Sequence, residues 1–114
     1  MEKYSLLFYK SSSGREVIGE FIADQDLKTQ LKIRNGMRLL SEYGLKLLRT
    51  KWIKKIHTKP DLFEFRIKSR KEIRLIFGNI KNVFVILNIF IKKKQKLPRE
   101  ELKIAISRIK EFIS

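Results

Sequence analysis

The sequence predicts a small α+β domain whose sheet is mostly antiparallel, with the element order β-α-α-β-β-β-α. Alternating apolar residues fill residues 62–91 in short runs separated by turns, which is typical of strands joined in hairpins. Two segments with helical periodicity precede this block and one follows it. The 114 residues suit one hydrophobic core, so we expect a single domain over residues 1–114.

The first half of the chain is expected to combine one strand with two helices. Residues 3–9 are aromatic and apolar and predict a strand, and a helix is expected over residues 15–23. Asp26 is a natural N-cap for a second helix over residues 27–43, and Gly44 stands where a left-handed residue ends a helix. The apolar stripe of this second helix is predicted to consist of Leu27, Leu31, Ile33, Met37 and Leu40.

Residues 45–59 carry no clear period and are expected to form a packed crossover that Pro60 ends. Trp52 lies within this crossover, and we expect it to anchor the core rather than to stack on a nucleobase. His57 could act as a general base, because histidine changes charge near neutral pH. A single histidine beside lysines and a proline is more often an exposed loop residue, and that is our expectation for His57.

Three strands follow, and they carry the residues of functional interest. They are expected at residues 62–68, 73–77 and 83–91, with turns at residues 69–71 and 78–82. The last of them is almost wholly apolar, so it should lie in the middle of the sheet with both faces covered.

Pro98 is expected to open the last helix, because proline is favoured in the first helical turn. Glu100 and Glu101 then complement the positive end of the helix dipole. The buried face of this helix is predicted to consist of Leu102, Ala105, Ile106, Ile109, Phe112 and Ile113.

The charge balance and the absence of cysteine narrow the functional classes. The formal net charge of +15 attracts polyanions such as nucleic acid, anionic lipid or an acidic protein. Without cysteine, and with His57 as the single histidine, disulfides, thiolate nucleophiles and the usual zinc and iron–sulfur sites are excluded, so we expect no metal and no cofactor. The longest apolar run, residues 83–91, is too short to span a bilayer. Residues 1–10 show neither the apolar region nor the small-residue cleavage site of a signal peptide, so we expect none. A soluble cytoplasmic protein that does not bind a membrane is expected.

A group of cations is expected on one face of the predicted sheet. Successive strand residues point to opposite faces, so Arg66 and Lys68 share a face, and the turn that follows them brings Arg74 beside them. Glu64 lies on the same face and could neutralise one arginine in a structural ion pair. We expect Arg74 to lie outside the core. Further cations that could hold a phosphate backbone, or could form only a solvated charge run, follow the next strand: Lys92, Lys93, Lys94 and Lys96.

Arginine and lysine without a metal are sufficient for the cleavage of RNA. The ribose 2′-OH is the nucleophile, and the protein has to orient it, to stabilise charge on the phosphoryl oxygens and to move protons. Guanidinium groups stay charged and bind two oxygens, and a lysine crowded by other cations can exchange a proton. Two alternatives remain open: a non-catalytic RNA- or DNA-binding module, and a regulatory protein whose basic surface docks an acidic partner.

Short motifs in this block resemble the RelE/HigB superfamily of bacterial toxin–antitoxin toxins, and in particular its phage-derived HigB-like branch. That branch has a Leu-Tyr-Glu-Leu-Arg strand, which residues 62–66 match, and a Tyr-Arg strand, which residues 73–74 match with isoleucine in place of tyrosine. Its apolar strand ending in Lys-Lys is matched by residues 90–93. The Thr-Pro pair that opens its last helix is matched by residues 97–98, with leucine in place of threonine.

The resemblance implies a RelE-like fold and a metal-independent endoribonuclease that cleaves messenger RNA, typically on the ribosome, and that a helix-turn-helix antitoxin neutralises. Arg66 and Arg74 match the phosphate-contacting basic positions of the superfamily, and Lys92 and Lys93 match its Lys-Lys pair. Asn88 stands where relatives often have histidine, and asparagine cannot act as a general base. Two alternatives follow: Lys92 or Lys94 takes the base role, or the activity is weak. The catalytic residues are therefore expected to be Arg66, Arg74 and Lys92. The residues expected to bind RNA are Lys68, Lys93, Lys94 and Lys96.

Overall fold

The computed structural model describes residues 4–93 and 98–113, and these residues contain five strands and three α-helices. The strands are β1 (Ser5–Phe8), β2 (Ile53–His57), β3 (Leu62–Lys68), β4 (Glu72–Ile80) and β5 (Val83–Ile91). The helices are α1 (Val17–Ala23), α2 (Leu27–Tyr43) and α3 (Arg99–Ile113), and a 3-10 helix (Gly44–Arg49) follows α2. The predicted α+β class, with two N-terminal helices and one C-terminal helix, is confirmed, and the architecture is consistent with a RelE-like fold.

The five strands form one sheet in the spatial order β1-β5-β4-β3-β2. β1 runs parallel to β5, and the other neighbouring pairs are antiparallel. β5 therefore lies inside the sheet, as its apolar sequence predicts, and residues 84–90 within it are buried.

The sheet separates two hydrophobic clusters, and the helices cover its two faces. On the face of α1 and α2, the cluster includes Phe65 and Phe77 together with Ile33 and Leu40 from α2. On the other face, α3 places Ala105 and Ile109 over apolar residues from β3, β4 and β5, namely Leu62, Ile76, Val85, Leu87 and Phe90. Burial on both faces explains why β3, β4 and β5 contain so few solvent-facing residues.

β2 is a strand that the sequence pattern does not indicate. Ile53 is buried and pairs with Phe65, while Lys54 and Lys55 are exposed, so the strand has only a weak apolar signature. Its register shifts between Lys55 and His57. An edge strand of this kind is fixed by its backbone pairing with β3, which a local pattern does not reveal.

The turn expected at residues 78–82 is wrong, because β4 continues to Ile80. Lys81 and Asn82 make the turn, with φ values of 50° and 66°, and two residues of positive φ form the tight turn that matches the twist of a hairpin. Gly78 resembles a turn residue in the sequence but lies in the strand, where Ile109 of α3 occupies the space that a Cβ atom would need.

α2 begins and ends as predicted, but its buried face differs from the predicted stripe. The Asp26 carboxylate accepts a hydrogen bond of 2.8 Å from the Thr29 N–H, and Gly44 has the positive φ expected after the helix. Leu27 and Leu31 are exposed, whereas Ile33, Met37 and Leu40 are buried. Gly36 explains the difference. A Cβ atom there would lie 2.9 Å from the Phe65 ring, so the glycine lets this side of α2 lie directly on β3.

α3 follows Pro98, as predicted, and buries Ala105 and Ile109 completely. Phe112 and Ile113 are exposed, because the last turn of the helix extends beyond the apolar cluster under it. None of the helices in the described part of the chain is long and apolar enough to cross a membrane.

Candidate nucleic-acid interface

Arg66 and Arg74 lie directly opposite each other in the β3–β4 ladder. Residues that oppose each other in an antiparallel pair point to the same side of the sheet. That side is the α3 side, because Leu62 and Phe90, which share it, belong to the cluster under α3. The structure therefore brings the two arginines together on one face. We call this face the cationic face; it comprises Arg66, Lys68, Arg74 and Lys92.

Arg74 is buried, with 6% of its surface exposed, so the expectation that it lies outside the core is wrong. Its Nη1 atom donates hydrogen bonds to the Glu72 carboxylate at 3.0 Å and to the Ile73 carbonyl at 3.1 Å. Its Nε atom lies 3.8 Å from the Glu64 carboxylate. Arg74 is buried because β3 and β5 flank it on both sides and two acidic residues on its own face compensate its charge.

Glu64 is even more buried than Arg74, with 2% of its surface exposed. The 3.8 Å separation from Arg74 is a charge–charge contact and too long for a hydrogen bond. Among the described residues, Glu64 Oε2 and Arg74 Nε have no hydrogen-bond partner. The alternative in which Glu64 neutralises an arginine therefore applies to Arg74.

Arg66 differs from Arg74 because its side chain is exposed. Its backbone N–H donates to the Trp52 carbonyl at 2.8 Å, which fixes the main chain at this point. Among residues 4–93 and 98–113, no hydrogen bond or ion pair engages its guanidinium group. Lys68, two residues further along β3, is exposed on the same side. Arg66 is therefore the arginine of the pair that can receive a phosphate directly.

Lys92 lies on the cationic face just beyond the end of β5, and Lys93 follows it. The Lys92 N–H donates to the Glu72 carbonyl at 2.7 Å, which places Lys92 beside the acidic partner of Arg74. Lys92 is half-buried and Lys93 is exposed. Lys94 and Lys96, also predicted to bind RNA, lie outside the described residues.

A β-bulge near the middle of β5 determines what lies beside the arginines. The register shifts there: Ile76 pairs with Asn88, but Phe77 pairs with Ile86. The extra residue, Leu87, turns its carbonyl toward Arg108 of α3, which donates to it at 2.8 Å. The bulge also points Asn88 toward α3, where its amide donates to the Glu101 carboxylate.

Both polar atoms of the Asn88 amide group therefore make hydrogen bonds. Its nitrogen bonds Glu101, and its oxygen accepts the Ile89 N–H at 3.0 Å. Glu101 was expected only to complement the helix dipole, but it also fixes the first turn of α3 to the sheet. Glu72 is another acidic residue of the site that the sequence analysis missed. Its alternation with Arg74 along β4 was the signal that it lies on the same face.

The two remaining candidates from the sequence lie away from the arginine pair. His57 ends β2 and its Nδ1 atom lies 2.9 Å from the Pro60 carbonyl, so it is a strand-end residue rather than the loop residue expected. Trp52 was expected to anchor the core, but its side chain is 46% exposed. One side of its ring stacks on Phe65, with 6.3 Å between the ring centroids.

The fold and this face define a class of protein: a small α+β domain, consistent with a RelE-like fold, that exposes an arginine and several lysines on its sheet. The family model described as phage-derived protein Gp49-like (DUF891) matches residues 20–110, which is well over half of the chain. The chain belongs to this family. The family is associated with the toxins of toxin–antitoxin systems, which implies an antitoxin partner. No curated protein matches the chain significantly.

Proposed function

We propose that the chain is a toxin of the RelE/HigB superfamily, an endoribonuclease that cleaves messenger RNA without a metal or cofactor. It would act in the cytoplasm on ribosome-bound transcripts, as a single domain over residues 1–114, and a helix-turn-helix antitoxin would neutralise it. The observation that carries the proposal is the exposed guanidinium group of Arg66, held opposite Arg74 in a family associated with toxins.

Arg66 is the residue proposed to bind the scissile phosphate. Its exposed planar guanidinium can donate two hydrogen bonds to two phosphoryl oxygens, and the charge that grows on them in the transition state strengthens both. Arg74, which is buried opposite Arg66 on the same face, adds positive charge to the site. Its partner Glu72 has a side chain that is 48% exposed, so an incoming phosphate can displace that carboxylate from the Arg74 Nη1 atom.

The reaction requires a proton to leave the 2′-OH and another to reach the 5′-oxygen of the leaving nucleotide. Asn88 cannot exchange protons at neutral pH, and its amide is already occupied by Glu101 and Ile89. Lys92 lies at the edge of the cationic face and is the described residue that we propose for proton transfer. Lys68 and Lys93 would hold the flanking phosphates, together with Lys94 and Lys96.

Expression of variants in growing cells tests the proposal. Arg66→Ala should abolish growth arrest and the appearance of new 5′ ends on cellular transcripts, because the phosphate loses its exposed arginine. Arg34→Ala is the matched control, since Arg34 is an exposed arginine on α2, across the sheet from the cationic face, and this variant should remain toxic. An Arg66→Ala protein that is as toxic as the wild type would refute the assignment. In a reaction of purified protein with ribosome-free RNA, cleavage that stops on addition of EDTA would refute the metal-independent mechanism.

A non-catalytic RNA-binding module is the second candidate, and two observations favour it. Arg74 is held by two carboxylates, and Asn88 occupies the position where relatives often carry histidine. A face that binds RNA without cleaving it would need only the exposed cations. In that case RNA binding would fall steeply with salt concentration while the RNA stayed intact.

A further inference from the structure

Trp52 is stacked on a core residue and is also partly open to solvent. One side of its indole ring stacks on Phe65, at an angle of 26° between the ring planes. The side chain is nevertheless 46% exposed, so much of the ring is open to solvent. A rigidly backed, solvent-open aromatic ring is the platform on which single-stranded nucleic acids stack their bases.

The open part of the ring faces a cavity of about 190 Å³ between α2 and the end of β3. Asn35, Lys32 and Lys68 are among the residues that line this cavity. Gly36 lies in its wall, and the absence of a side chain there brings α2 close to β3. The cavity thus offers a stacking surface, a group that donates and accepts hydrogen bonds, and two cations.

The cavity lies on the α2 side of the sheet at the end of β3, and Lys68 is the residue that it shares with the cationic face. The Trp52 carbonyl accepts the backbone N–H of Arg66 at 2.8 Å, so the tryptophan is the neighbour of the proposed phosphate-binding residue across the β2–β3 edge. Lys68 lines the cavity and follows Arg66 by two residues on β3. An RNA strand that places a phosphate at Arg66 and continues around the end of β3 past Lys68 would reach the opening of the cavity.

We propose that the Trp52 cavity binds one unpaired nucleobase of the RNA, next to the nucleotide whose phosphate Arg66 holds. The base stacks on the open side of the indole, the Asn35 amide bonds its edge, and Lys32 and Lys68 contact the flanking phosphates. The inference rests on the proposed function only in that RNA is the ligand; it does not require cleavage. The net charge of +15 and the lysines at the rim favour a polyanion over a purely apolar partner.

Fluorescence tests the proposal directly, because Trp52 is the single tryptophan in the chain. The full-length protein is titrated with a short single-stranded RNA whose riboses carry 2′-O-methyl groups, which the proposed reaction cannot cleave. Stacking should quench Trp52 emission saturably. Inorganic polyphosphate, which brings charge without bases, should bind with little quenching. Equal quenching by both ligands would overturn the proposal.

Variants separate stacking from charge. With a labelled RNA, Trp52→Leu should weaken binding about tenfold without changing the salt dependence, whereas Trp52→Phe should retain most of the affinity because it still stacks. Lys68→Ala should instead reduce the slope of log affinity against log salt by about 0.7. Leu48→Ala is the control, since Leu48 is a similarly exposed apolar residue in the adjacent 3-10 helix, and it should bind like the wild type.

The outcomes distinguish this inference from the proposed nuclease. If Trp52→Leu binds RNA with wild-type affinity, the base site is refuted, even if the wild-type protein cleaves transcripts. If Trp52→Leu then fails to bind the antitoxin, the surface is assigned to a protein partner instead. Saturable quenching in a protein that never cleaves RNA would support the base site and refute the nuclease.

Discussion

Replacing Arg74 by alanine should destabilise the fold severely, and the pair with Glu64 is the reason. The two charged groups are 3.8 Å apart and almost completely buried. With an effective dielectric constant of about 20, two unit charges at that distance attract by about 4 kcal/mol. The contact between Arg74 and Glu72 is shorter, at 3.0 Å, but the Glu72 side chain is 48% exposed, so solvent screening limits that pair to about 1 kcal/mol or less.

Arg74→Ala would therefore leave Glu64 as a buried carboxylate without its cation. Removing one partner of a buried ion pair typically costs about 3–5 kcal/mol, which is a large part of the about 5–15 kcal/mol that stabilises a domain. Adding Glu64→Gln to Arg74→Ala should recover part of the loss, because the uncompensated charge disappears. Urea unfolding of the two single variants and the double variant, followed by circular dichroism, gives the coupling energy between the two sites.

A loss of less than about 1 kcal/mol in Arg74→Ala, or additive effects in the double variant, would refute the view that Glu64 and Arg74 are a coupled buried pair. The expected result also governs the tests of function. A non-toxic Arg74→Ala protein could simply be unfolded, so its phenotype says little about phosphate binding. Arg66 is exposed, and its removal tests the chemistry without this structural cost.

The remaining predictions concern the cap of α2 and proton transfer. Hydrogen bonds from the Thr29 backbone N–H and then from its hydroxyl hold the pKa of Asp26 below its usual value. A lowered pKa in the folded state means that the ionised cap stabilises the fold fully above the pKa of the unfolded chain, and that this stabilisation is lost as the pH falls through the folded pKa. The difference in urea midpoint between wild type and Asp26→Ala should thus be full at pH 7 and shrink below about pH 4. Asparagine is a cap that does not titrate, so the difference between Asp26→Asn and Asp26→Ala should stay constant over the same pH range. Lys92→Ala should slow single-turnover RNA cleavage by about 100-fold or more at saturating protein, while Lys93→Ala should chiefly weaken binding; equal effects of the two variants on the cleavage rate would contradict the role of Lys92.

Local patterns in the sequence predicted most of the sheet and both long helices. Alternation along residues 62–68 places Arg66 and Lys68 on one face, and the short turn after them fixes the register that brings Arg74 opposite Arg66. These features depend on neighbours in the sequence. The cap at Asp26 and the end at Gly44 were predictable for the same reason.

Features that depend on tertiary contacts were not predictable. β2 exists because β3 offers it an edge, and Leu27 and Leu31 are exposed because Gly36 sets which side of α2 meets the sheet. The burial of Arg74 has the same origin. The alternation of residues predicted correctly on which face of the sheet Arg74 lies. Its burial follows from the flanking strands β3 and β5 and from the two carboxylates around it.

The bulge in β5 connects these observations to the proposed chemistry. Without the extra residue, Asn88 would lie on the face of α1 and α2, since Ile86 points there. With it, Asn88 meets Glu101 and fixes the first turn of α3 close to the arginine pair. An asparagine with both amide atoms engaged has a structural role, so in this chain the position joins sheet to helix. Under the proposed function, proton transfer would come from the open side of the face, where Lys92 follows β5. Under the proposed base site, binding specificity would come from the β2–β3 edge, where Trp52 precedes β2.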